Sequence, residues 1–180
     1  MLIAKKKRKE NIAEYILYLY QIENLIRAFN LDIDLIEREL VSKYKADDNT
    51  KNEILNWYKN LVLMMEKEGI TQSGHLQFLT NLIDDVYEVH LKLMDSETDA
   101  MYTQTFKAIA GLITELKQKN KQADNDVQVS LDAIYGYLLL KMQNKAVTDE
   151  TKEAVKRLSN WLGLLSGMFK KYESGELFSD

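Results

Sequence analysis

The sequence predicts an all-α fold: a single up-and-down bundle of about six to seven helices filling one domain across residues 1–180. Three observations point there. Proline is absent from all 180 residues and glycine occurs only seven times. Proline ends helix interiors, so a chain without it favours long helices joined by short polar turns. Apolar residues recur at spacings of three and four along most of the length, and no stretch keeps the strict alternation of a strand.

The first helix is expected from about Glu10 to Phe29, with Ile12, Ile16, Leu19, Ile22, Leu25, Ile26 and Phe29 on one face. Asn11 is its expected N-cap, with Glu14 three positions on, and Asn30 its expected stop. Tyr15, Tyr18 and Tyr20 do not share one face, as in a helix packed nearly all round. A short second helix spans about Asp34 to Tyr44. Thr50 and Glu53 have capping-box spacing and open a third helix, which Gly69 ends. The fourth runs from about Gly74 to Met94 and places His90 on its apolar stripe. "DSETD" then breaks the chain, being rich in residues that cap helices. A fifth helix reaches about Asn120, and a sixth carries Val127, Leu131, Ile134, Leu138 and Met142. The seventh runs from about Asp149 to Tyr172, with Ser174 and Gly175 closing it. "GLLSG" at residues 163–167 has small-xxx-small spacing, so close helix contact is expected there, and likewise at Gly111 and Gly136.

Composition narrows the function classes. A hydrophobic content of 46% suits a packed globular chain. Cysteine is absent, which rules out disulfides and thiolate chemistry and fits a reducing, cytoplasmic setting. No run is apolar enough for a signal peptide or a membrane span, so no membrane role is expected. The net charge of −4 argues against a nucleic-acid binder. Five cations stand together at Lys5, Lys6, Lys7, Arg8 and Lys9, which leaves the remainder of the chain at −9. Cations are unfavourable at a helix start, so stability does not account for them. They form a candidate arm for an anion or an acidic partner, or else a solvated helix start.

Candidate chemistry is sparse. Glu23 and Arg27 stand at i and i+4 on the first helix, an order that suits a helical ion pair. With His90 and Tyr15 they form a candidate polar site between the first and fourth helices. The competing reading of His90 is a hydrogen-bonded core residue. No cofactor is expected. A di-iron bundle needs Glu-x-x-His, but Tyr87 stands three before His90 and Gln72 three before His75. Two histidines without cysteine supply a zinc site poorly, so no metal is expected. Phosphate-loop and nucleophile-elbow motifs are absent. What remains is a non-catalytic interaction or regulatory protein, working with a protein partner or a second copy of itself. The alternative is a bundle that binds a small ligand, or performs chemistry, in its polar core.

"ENIAEYILYLYQIENLIRA" and "HLQFLTNLIDDVYEVHLKL" give the chain a wider resemblance. Over nearly its whole length it resembles a family of bacterial proteins of about this size, found mainly in Bacteroidetes and assigned a domain of unknown function. The resemblance implies a helical, cytoplasmic bacterial protein. It implies no activity and no catalytic residues.

Overall fold

The computed structural model describes residues 2–96, 99–121 and 123–178. Among these residues the regular structure is entirely helical, with nine α-helices and no strand. They are α1 (Leu2–Glu10), α2 (Ile12–Ala28), α3 (Ile33–Glu39), α4 (Asp48–Lys67), α5 (Gln77–Ser96), α6 (Ala100–Lys107), α7 (Ala110–Lys119), α8 (Asp126–Met142) and α9 (Asp149–Glu173). A 3₁₀ turn at Val41–Lys43 follows α3.

Nine helices replace the expected six to seven because a further helix precedes the first expected one and the fifth segment breaks in two. The first break is at Asn11, which is extended and accepts a hydrogen bond from the Glu14 amide, 3.1 Å. The residues before it form a separate helix that buries Ala4 and reaches α9 through Arg8 and Glu173. The second break is at Ala108 and Ile109, where neither glycine nor proline marks it. There the Ala108 carbonyl accepts from the Arg157 guanidinium of α9, and Ile109 turns into the core at 2% exposure. Both breaks answer to contacts made by a distant helix.

Two local expectations also change. The cap of α4 is Asp47, which accepts from both the amide and the hydroxyl of Thr50, at 2.8 and 2.9 Å. Thr50 therefore lies inside the first turn. The glycines mark no close helix contact: a Cβ at Gly111, Gly136, Gly163 or Gly167 would meet nothing within 4 Å. By contrast Gly69, at φ +70, ends α4 as expected. The Ile70 amide closes back on the Met65 carbonyl across this left-handed residue.

Packing forms two apolar clusters. The larger joins the first half of α2 to α5, α6, α7, α8 and α9, with Trp161 wholly buried. In it α9 touches α2, α5, α6 and α8, and α8 touches α2, α5 and α7. The smaller gathers Ile22 and Ile26 of α2 with α3, the 3₁₀ turn, α4 and Leu76. Tyr18, Trp57 and Phe78 pack against both. The α2 helix, apolar nearly all round, runs through both clusters, and its polar residues must find partners inside.

Candidate functional site: two buried histidine networks and a basic helix

The first network grows from the start of α5. A helix leaves its first amides without partners, and α5 lacks an acidic residue in its first turn. Carboxylates from other helices fill the gap. Glu23 of α2, only 1% exposed, accepts from the Leu76 amide at 2.9 Å. Glu68 at the end of α4 accepts from the Gln77 amide at 2.7 Å. Negative charge at a helix start is also favoured by the helix dipole. The other Glu23 oxygen lies 2.6 Å from His75 Nδ1.

His75 is part exposed, and its ring stacks on Tyr20 with centroids 3.6 Å apart and planes 14° from parallel. Tyr20 meets Tyr135 edge-on, and the Tyr135 hydroxyl donates to the Tyr20 carbonyl while accepting from Asn24. Arg27 does not pair with Glu23. Its guanidinium donates to Asn24, to the Ile70 carbonyl at 3.2 and 3.3 Å and to the Gly74 carbonyl. A planar fork of donors suits this task, because the turn between α4 and α5 leaves carbonyls that no helix satisfies. Asp132 of α8 completes the surroundings. Burial pushes its carboxyl up, while an Asn120 hydrogen bond and the nearby His75 pull the other way. The Tyr20 hydroxyl is buried without a hydrogen-bond partner among the described residues. Burial, then the fields of Asp132 and Glu23, push it above the ordinary tyrosine range.

His90 belongs to a second network. It is 2% exposed, and its Nδ1 lies 2.6 Å from the Tyr102 hydroxyl. That hydroxyl accepts from Trp161 Nε1 at 3.1 Å. An indole nitrogen only donates, so the Tyr102 oxygen accepts in that bond, and its direction toward His90 Nδ1 follows the imidazole tautomer. Phe106 and Trp161 pack on the ring with centroids 4.4 and 5.3 Å away. Burial pushes the imidazole down to about 4; Asp126, 4.0 Å from Nε2, opposes the shift, and Lys117 adds to it. Asp126 itself pairs with Lys117. His90 is thus held neutral in an aromatic cage, and its partners are not those of Glu23 or Arg27.

The basic run is the helix α1. Lys7 pairs with Glu14 at 2.8 Å, and Lys6 stands 3.9 Å from Glu10. Arg8 makes two hydrogen bonds to Glu173 at 2.9 and 2.5 Å and lies 5.7 Å above the Phe169 ring. Lys5 and Lys9 are exposed and reach no carboxylate among the described residues. Tyr15 lies beside this helix, where burial pushes its hydroxyl up and Arg8 opposes the shift.

Of the four polar candidates, then, Glu23 and Arg27 both serve the turn into α5, His90 lies in its own cage, and Tyr15 borders α1. Sequence reasoning gave no role to His75, Asn24, Tyr102 or Asp132. His75 follows a glycine in a turn and pairs 52 residues away, so no periodicity could find it. The described residues hold no group of three acidic or histidine side chains able to bind a metal.

The comparisons with known proteins fit a helical chain without an assigned chemistry. The DASH complex subunit SPC34 of Candida glabrata is 27% identical over 129 residues, which cover 69% of this chain and 41% of that protein. The chain therefore spans less than half the length of that relative. No solved structure matches it. Residues 1–176 match the family model described as domain of unknown function DUF4924, and the chain belongs to that family.

Proposed function

We infer that this chain is a non-catalytic interaction protein, a single bundle domain that works as part of a protein assembly or as a homo-oligomer. The observation that carries the reading is how its polar groups are used. Glu23 caps α5, Arg27 holds the turn before it, and His90 is kept neutral among aromatic rings. Each is occupied in joining helices. Meanwhile Met101 and Met142 stay exposed at 61% and 70%, and Leu63, Leu91 and Phe178 are also open. Flexible apolar side chains at the surface suit a partner surface. The relative from Candida glabrata is itself named as a subunit of a complex, which supports the same reading. The single-domain assignment rests on Tyr18, Trp57 and Phe78, which tie the two clusters together. No described helix is long and apolar enough to cross a membrane. A bacterial, cytoplasmic setting is supported by the family resemblance and the lack of cysteine.

Native mass spectrometry of gently purified protein, set against the denatured mass, tests this. A second polypeptide, either another copy or a partner, is the expected result. A chain that stays alone at every concentration overturns it.

A second reading keeps one specific observation: the unpartnered Tyr20 hydroxyl beside Asp132 and His75. A small polar ligand reaching the part-exposed His75 would supply that partner. The same spectrum would then show a small added mass, lost in Tyr20→Phe.

A further inference from the structure

The end of the molecule formed by α1, α2 and α4 carries a cleft of about 350 Å³, lined by Ala4, Lys5, Arg8, Lys9, Tyr15 and Trp57. We propose that this cleft binds an acidic segment of a partner protein, with one apolar or aromatic side chain seated against Trp57 and Tyr15 and flanking carboxylates on Lys5 and Lys9. The proposal rests on the interaction reading above and names the chemistry of the partner.

Three observations carry it. First, charge: the basic run belongs to a chain whose remainder is at −9, so an acidic segment is drawn to this end and repelled elsewhere. Second, availability: Arg8 is committed to Glu173 and Lys7 to Glu14, but Lys5 and Lys9 are not committed to any described carboxylate. They stand four residues apart, so they sit one turn above the other along the same side of α1. Lys9 stands in the last turn of α1, where the helix dipole favours a cation, and it borders the N-terminal end of α2, whose dipole attracts an anion. Third, residue type: tryptophan, tyrosine and arginine are the side chains that most often anchor interfaces. Trp57 is only part buried although it packs against both apolar clusters, so its position is fixed while one part stays open.

The test is selection of a random displayed-peptide library on the full-length protein, followed by affinity measurement of the selected peptides on the double variant Lys5→Glu/Lys9→Glu. Both lysines are exposed and reach no carboxylate among the described residues, and an unchanged thermal midpoint checks that the variant keeps its fold. The expected result is enrichment of Asp and Glu around an aromatic or long aliphatic residue. Affinity should fall at least about tenfold in the variant and weaken with added salt. Selection of peptides without acidic residues, or binding indifferent to the variant, overturns the proposal. So does a library that yields no binder, whether or not nucleoside monophosphates, run in parallel, bind the same cleft. If native spectra still show a bound polypeptide in the double variant, the cleft proposal fails and the interaction reading stands.

Discussion

The two histidines of this chain are held by opposite means. His75 stays part open to solvent, set between a buried carboxylate and a tyrosine ring, in a network built of charges and of the unsatisfied ends of a helix and a turn. His90 is sealed among aromatic rings and made neutral, with Nδ1 held by Tyr102. The first arrangement joins two helices to a loop by charge. The second joins α5, α6 and α9 by packing. Buried polar groups are mostly hydrogen-bonded, and the two networks meet those bonds, the Tyr20 hydroxyl excepted, with charge in one case and neutrality in the other. In both, the polar atoms hold architecture.

The largest expected effect comes from emptying the aromatic cage. Trp161→Ala removes a side chain with no exposure and should lower stability by about 3–5 kcal/mol in urea unfolding. A cost near that of a surface substitution would mean that the cage is not packed as described. On the charged side, Glu23→Ala strips the Leu76 amide and His75 of their partner. A loss of about 1–3 kcal/mol is expected, the cost of leaving the buried Leu76 amide without its acceptor, while His75 still meets water. Glu23→Gln keeps one acceptor and should cost less.

Acid sharpens the contrast. His90 is pushed down to about 4, so between its ordinary value and about 4 the unfolded chain binds a proton that the folded chain refuses. Its contribution to stability is complete above the ordinary histidine range. It is lost progressively as pH falls toward about 4, with a total near 3 kcal/mol. Asp132, pushed up by burial, acts in the opposite sense, gaining stability as its carboxyl protonates. A His90→Phe variant should flatten the main acid slope measured by unfolding between neutral pH and about 4. The smallest expected effect is at Tyr20→Phe. Removing an unpartnered buried hydroxyl should leave stability unchanged or raise it by up to about 1 kcal/mol.

Much of the helical pattern was legible in residue order, because caps and periodicity are local. Asn11 caps α2 as its spacing with Glu14 implies, Gly69 and Gly175 end α4 and α9, and His90 lies on the buried stripe of α5. What was not legible depends on distant partners. The break at Ala108 answers to Arg157, 49 residues on. Glu23 and Arg27 look like a helical pair, yet each turns to the segment before α5, since a helix start and a turn offer stronger claims than an i,i+4 partner. The Gly163 and Gly167 spacing resembles a contact motif, but both glycines face outward.

The measurement that bears most directly on the claim that the polar interior is architecture is the native mass spectrum of Glu23→Gln, recorded well below its unfolding midpoint. The account predicts a bound polypeptide on the unaltered chain and the same one on Glu23→Gln, whose midpoint is lowered. A folded Glu23→Gln protein that has lost its bound species would contradict it and place the function inside the molecule.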